Sequence, residues 1–455
     1  MNQLQLKSRA ANAIGNPAGA SIPLLNRNLD RYRRHSSGAD AGTQWSWAII
    51  GLAIAGTVYN GLLAILNAHG FTVGRNHVIA AEILLLAAGG VVILASGPRR
   101  GDGAPAAFAA FFILDALVVS MLNNDLFVDM ARNAAIVAVF MMLGARIDPR
   151  HLNRCFTIAA IVVLAVLLLE MASEQAYARL FEPANYFANT RGIAKQNFDQ
   201  MGLFANALGF DSRFAIVTIM NHRACSIFLE QVSLANFAII LTMVLACNWR
   251  QLPLPTAAFY ALLILLIVIT TNSRLALGLI LLTPVAVLLA SRLNRNLTLL
   301  IMPLTLVIAG VVAMNSSGVY ADDLPGRLTK TVRALGHMDL SAMAGLETSS
   351  AAGFADSGYA YVIYASSIFG ILALWIFTSL VMAENKPRML RCSLLLNLYI
   401  FCSLTVSGNS VFSMKTAALL WLLVGNVRAE PSAQEMEAAE PAWRLAPRLR
   451  ASAGS

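Results

Sequence analysis

The sequence predicts an all-α polytopic membrane protein of about twelve transmembrane helices with two long outer loops. Three observations predict it. The chain is 58% hydrophobic and only 13% charged, whereas a soluble domain carries about twice that charged share. Apolar runs close to the ~20 residues that cross a ~30 Å hydrocarbon core recur along it. Lys and Arg collect in alternate short loops, a pattern that fixes orientation in a bilayer.

Residues 1–44 read as a basic disordered tail in the cytoplasm, with Arg31, Arg33 and Arg34 followed by polar residues. They do not read as a signal peptide, because the next apolar run is long enough to span. That run, 45–66, is the first span. The others are placed at 78–96, 105–122, 127–143, 155–171, 225–247, 256–271, 275–291, 297–314, 358–382, 389–406 and 411–427. The fourth carries Asp129, Arg132 and Asn133 in its first turns. The seventh and eighth are parted only by Thr271, Asn272, Ser273 and Arg274. The bundle thus fills 45–427, and 428–455 reads as a second disordered cytoplasmic tail. No internal repeat relates the two halves.

Outside the long loops, 21 basic residues fall on one side of this arrangement. Four, Arg75, Arg132, Arg274 and Lys415, fall on the other. A single miscounted span would invert every later loop and erase the bias. The richer side is therefore expected in the cytoplasm, with both termini. Segments 172–224 and 315–357 lie on the outer side, and loops of this length are usually functional or disordered. The net charge of +9 does not point to nucleic acid, because the basic residues sit at the ends of apolar runs and form no stripe. The cysteines, Cys155, Cys225, Cys247, Cys392 and Cys402, lack zinc-site spacing. No phosphate-binding glycine loop or nucleophile elbow is present. No metal or cofactor is expected.

The first outer loop is basic, with Arg191, Lys195, Arg213, His222 and Arg223 outnumbering its acids in the stretch that follows Tyr186. Guanidinium forks suit a phosphate, whether on a substrate or on lipid headgroups. In the second loop, Asp323 and Pro325 mark a helix start. Helical spacing then puts Lys330, Arg333 and His337 on one face and Leu328, Val332 and Leu335 on the other. Such a helix is expected to lie on the membrane, apolar side down. Ionisable residues inside spans are costly when they face lipid. Of these, Glu82 and Asp115 are expected to pair with other helices. Glu230, Arg274 and Lys415 are expected to converge, with Asp356 at the same level, in a cavity open to the outside.

Three segments together resemble the Wzy-type exopolysaccharide polymerase and O-antigen ligase superfamily of bacterial envelope enzymes. Thr270-Thr271-Asn272-Ser273-Arg274, running through Gly278 into an apolar helix, is similar to its Ser-Arg motif. His222 to Asn236, with Glu230 ahead of Leu234 and Asn236, is similar to an earlier family segment. Asp356-Ser357-Gly358-Tyr359, leading to Gly370, is similar to the segment after the large outer loop. Arg191 and Gly202 fit an Arg-x10-Gly spacing, which the second loop does not repeat. Family ligases carry His-Asn before that Tyr. Here Asp356, Ser357 and Gly358 stand in that place, which favours a polymerase; His337 lies well upstream.

The resemblance implies glycosyl transfer at the outer face of the bacterial inner membrane. The partners it implies are an undecaprenyl-diphosphate-linked oligosaccharide, membrane lipid, and a chain-length regulator or export machinery, with no nucleic acid. Arg274 and Arg191 are expected to bind the diphosphate, supported by Arg213, Arg223, Lys415 and Arg333. Glu230 is expected as the base, with His222 and Asp356 as alternates. A glycan ligase, a transporter or flippase of lipid-linked sugars, and a non-catalytic scaffold are the competing readings.

Overall fold

In the computed structural model the chain is all-helical, and it is described at residues 22–193, 202–204, 207, 220–290, 292, 294–316, 324–354, 356–382, 384–407 and 410–429. A helix lies over each of the twelve apolar runs. The first half comprises α1 (Ile22–Ala68), α2 (Arg75–Ala95), α3 (Gly103–Asn123), α4 (Asp129–Gly144), α5 (Pro149–Ala172), α6 (Glu174–Phe181) and α7 (Pro183–Arg191). Then follow α8 (Gln231–Asn248), α9 (Leu254–Thr271), α10 (Arg274–Ala290), α11 (Ile301–Met314), α12 (Leu324–Gly336) and α13 (Leu340–Met343). The last four are α14 (Gly358–Ala365), α15 (Ile368–Leu380), α16 (Pro387–Leu404) and α17 (Met414–Arg428).

Among the described residues, seven helices are long and apolar enough to cross a membrane, or eight if the bent pair α14–α15 is one span. Their outer faces suit lipid. Leu84, Leu94, Met121, Leu262 and Leu288 are each at least 68% exposed, a greasy surface that water would not tolerate over so large an area. Helix α8 is the hub, with 83% of its apolar stretch buried against 17% for α2.

Four expectations change. Helix α1 begins at Ile22, inside the stretch read as a disordered tail. The sixth apolar run is not helical from its start at Cys225. It makes a 3-10 turn at Ser226–Phe228 and becomes α-helix only at Gln231. The reason is that neighbouring side chains capture its backbone. Glu170 accepts from the N–H of Cys225 at 3.0 Å and of Ser226 at 2.7 Å, and the Tyr177 hydroxyl donates to the Ser226 carbonyl at 2.8 Å. Irregular backbone at membrane depth survives only with such partners.

The tenth run breaks at Ser366–Ser367, where α14 and α15 meet with a bend of 118°. Ser366 turns its hydroxyl back onto the Val362 carbonyl at 2.6 Å, and Ser367 donates to Asp115 of α3 at 3.1 Å. Finally, α12 is basic and amphipathic as expected, but its apolar side faces protein. Leu328 and Val332 pack with Ala309, Val312 and Val406, and Thr331 donates to the Thr405 carbonyl at 2.8 Å.

Close approach fastens α4 to α17. A side chain on Gly144 would collide with the Leu422 backbone, and one on Gly425 with the Met141 backbone. Small residues let helix backbones touch in this way.

One end of the bundle is tied by arginines. Buried Arg146 donates to Ser96 Oγ at 2.6 Å, to the Gly97 carbonyl at 2.7 Å, and to both oxygens of Asp102 at 2.8 and 2.6 Å. Arg99 reaches the Ala145 carbonyl and Arg428 the Gly101 carbonyl. Arg388 donates to Asn248 at 2.8 Å and Asn426 at 3.2 Å, and Asn426 donates to the Ile147 carbonyl at 2.9 Å. The ends of α2, α3, α4, α5, α8, α16 and α17 are thereby joined.

Candidate functional site

The opposite end gathers a second set of charges around the start of α8. Leu229 adopts a left-handed conformation with φ of 60°, which costs a branched residue about 1–3 kcal/mol. Glu230 follows in extended backbone as the N-cap of α8, but its side chain accepts no bond from the backbone N–H groups that open the helix.

That carboxylate meets two cations brought from far along the chain. Arg191, at the end of α7, donates through both terminal nitrogens, at 3.2 Å to Oε1 and 3.4 Å to Oε2. Lys415, in the first turn of α17, reaches Oε2 at 3.1 Å, as does Ser233 Oγ at 3.2 Å. The Lys415 side chain is only 1% exposed, whereas Arg191 is 40% exposed. Each cation also has an anchor of its own. The Arg191 guanidinium stacks on the Phe187 ring at 4.4 Å, and Lys415 donates to the Phe228 carbonyl at 3.2 Å. The two cations supply the opposite charge that a carboxylate removed from water requires.

A polar seam extends from this group. Tyr186 of α7 donates to Asn60 at 2.5 Å, and the neighbouring Tyr59 donates to Glu82 at 2.5 Å. Glu82 stands 3.6 Å from Arg132, which also lies 3.8 Å from Asp129. The Arg132 Nε is shielded and has no hydrogen-bond partner among the described residues.

The other residues singled out from sequence take separate places. His222 is 2% exposed, with Nε2 3.1 Å from Glu170 and Nδ1 3.3 Å from Glu174. Both ring nitrogens thus face carboxylates rather than an open site. Arg223 is buried, and its Nε donates to the Thr271 carbonyl at 2.7 Å. The Ala224 N–H donates to the Thr270 carbonyl at 3.0 Å. Two of the three motif segments are therefore bonded to one another.

Arg274 opens α10, half-buried, just past the left-handed Asn272 that ends α9. Helix α10 packs on α8. Asp356 forms an ion pair with Lys330 of α12 at 2.6 Å. Lys330, Arg333, Thr329 and Gly326 line a cavity of about 290 Å³. Arg213 and Lys195 lie outside the described residues.

The structure thus brings Glu230, Arg191 and Lys415 together and places His222 and Asp356 with other partners. Sequence reasoning missed Glu170 and Glu174, which look like ordinary polar residues closing a span. It also gave no role to Arg132, which the seam joins to Glu82. Among the described residues, no group of three or more His, Cys, Asp or Glu side chains is arranged to hold a metal ion.

This fold and its buried charges define a polytopic helical membrane protein with an ion-paired site at one end of the bundle. No protein-family model, curated protein or solved structure matches the chain.

Proposed function

We propose that the chain polymerises lipid-linked polysaccharide repeat units at the outer face of the bacterial inner membrane. On this reading all twelve helical segments span, the arginine-tied end faces the cytoplasm with both termini, and Glu230 faces outward. The observation that carries the reading is the meeting of Arg191 and Lys415 on one point at the head of α8. Two fixed cations beside an exposed edge suit a lipid diphosphate. Negative charge grows on that group as its bond to the sugar breaks, so cations there stabilise the transition state above the ground state.

The donor is a growing glycan on undecaprenyl diphosphate, and the acceptor is the next lipid-linked repeat. An acceptor hydroxyl oxygen attacks the donor's anomeric carbon. The bond from that carbon to the phosphate oxygen breaks, and the electron pair leaves with the lipid diphosphate. The hydroxyl proton passes to the Glu230 carboxylate. Arg274, one helix away on α10, supports the diphosphate. The cavity at Lys330 and Arg333 receives anionic groups of the substrate. A chain-length regulator or export machinery would take up the product.

The test uses the purified full chain in nanodiscs with an undecaprenyl-diphosphate-linked repeat unit. The wild type should give a ladder of polymer, and Arg191→Ala should reduce the rate by about a hundredfold or more. An unchanged ladder from Arg191→Ala would remove the proposed site.

One observation favours a second reading, transport of a lipid-linked glycan. Helices broken within the membrane are common where transporters bind substrate, and α14–α15 is such a pair. Movement of the lipid-linked repeat across liposomes without chain growth would select it.

A further inference from the structure

We infer that Glu230 is an internal placeholder for the diphosphate, displaced from Arg191 and Lys415 when substrate binds and freed by that displacement to accept a proton. The inference rests on the proposed reading for its substrate and deepens it for the same site.

Three features of the geometry point this way. First, the Arg191–Glu230 contact is a two-pronged fork, the arrangement a guanidinium also makes with phosphate. The site is thus already shaped for a dianion, with a monoanion seated in it. Second, the contacts on Glu230, from 3.1 to 3.4 Å, are longer than the ~2.7–2.9 Å of a tight charge-assisted bond. Third, the cations do not depend on Glu230 for their positions. Phe187 supports Arg191 from its ring face, and the Phe228 carbonyl holds Lys415. Removing the carboxylate leaves both cations anchored. Among the described residues, Glu230 itself is restrained only by those cations and by Ser233, from extended backbone ahead of α8.

The exchange resolves a conflict within the mechanism. A carboxylate locked between two cations is a poor base. Once the diphosphate takes both cations, Glu230 loses its opposite charges, gains an anionic neighbour and becomes basic. It can then accept the proton that the attacking hydroxyl releases. Base activation is tied to donor occupancy, so the site does not remove a proton until a leaving group is in place.

The experiment measures binding of inorganic pyrophosphate to the purified full chain in nanodiscs, alongside polymer formation. Glu230→Gln should bind pyrophosphate about tenfold or more tightly, while losing polymer formation. Glu230→Asp keeps the charge but draws it back by one methylene, so it should also bind more tightly, by a smaller factor. Arg191→Ala should lose the gain when combined with Glu230→Gln. Pyrophosphate binding that is unchanged or weaker in Glu230→Gln would overturn the inference, as would equal affinity of Glu230→Asp and wild type. If the variants bind more tightly but the wild type forms no polymer, the polymerase reading fails and the placeholder stands. If polymer forms but neither variant binds more tightly, only the placeholder fails.

Discussion

The Arg223 side chain donates to the Thr271 carbonyl at 2.7 Å, joining the segment that leads to Glu230 with the turn that leads to Arg274. Two stretches that sequence presents as separate motifs are in contact. The bond also satisfies a carbonyl at the end of α9, where the helix has no further N–H to offer.

Replacing Arg223 with Ala should therefore loosen both segments at once. Loss of a buried charge-assisted hydrogen bond is expected to cost about 1.5–3 kcal/mol. Thermal unfolding of the purified protein in detergent would show it. An unchanged midpoint would mean the tie contributes nothing to stability.

The Arg146–Asp102 pair should be the most sensitive point at the other end. Asp102→Asn leaves a buried guanidinium without its counter-charge and should cost about 3–5 kcal/mol. Replacing both residues with apolar ones of similar size should cost less than either single change. The pair also sets an acid limit. Burial pushes Asp102 up, but Arg146 and the Arg99 N–H outweigh it and hold the carboxyl below its usual range. A group with a depressed folded value stabilises the protein above its unfolded value of about 3.9 and loses that contribution as pH falls through the folded one. Wild type should thus lose stability below about pH 4, and an Asp102→Asn variant should lack that component. Equilibrium unfolding across pH 3 to 6, set against the variant, measures the difference.

Gly144→Ala and Gly425→Ala should each force α4 and α17 apart. The added methyl meets backbone, which cannot turn aside, so a penalty of at least about 1–3 kcal/mol is expected. Size-exclusion profiles should show less monodisperse protein for both. Gly278→Ala, where nothing lies within reach of a new methyl, serves as the control.

Lys415 and Glu230 should behave as a coupled pair. Lys415→Met strands part of a buried carboxylate's neutralising charge, and Glu230→Gln strands a buried ammonium. The double variant should be more stable than the sum of the two single effects predicts, by about 0.5–3 kcal/mol. A double-mutant cycle on unfolding midpoints reads this coupling, and strict additivity would show that the contact carries no energy.

Much of the fold was legible because bilayer thickness imposes a length on every apolar run. Helix covers most of every run, and among the described residues seven helices are long and apolar enough to cross a membrane. The departures occur where hydrogen bonds from distant residues override local pattern. Nothing near Cys225 announces that Glu170, three helices earlier in α5, will take its N–H. Nothing in the tenth run, apart from the pair Ser366–Ser367, marks a bend of 118°. The α12 pattern was right in its faces, but amphipathicity alone does not say whether lipid or protein covers the apolar side.

The site was legible in the same partial way. Glu230 and Lys415 stood out because charge inside apolar sequence demands a partner. Which cation meets which anion was not written in the spacing, and Arg191 proved closer to Glu230 than its position in a long outer loop implied. His222 was recognised as unusual, but its two carboxylate neighbours were not among the residues singled out.

The arginine ties at one end of the bundle have a mechanical corollary. A sheaf bound firmly at its base opens only at its tips, like tongs on a rivet. Seven helices share that rivet, and the Glu230 group sits among the tips. Small tilts pivoting there would be magnified along the helices and would change the gap between Arg191 on α7 and Lys415 on α17, with no rearrangement at the bound end.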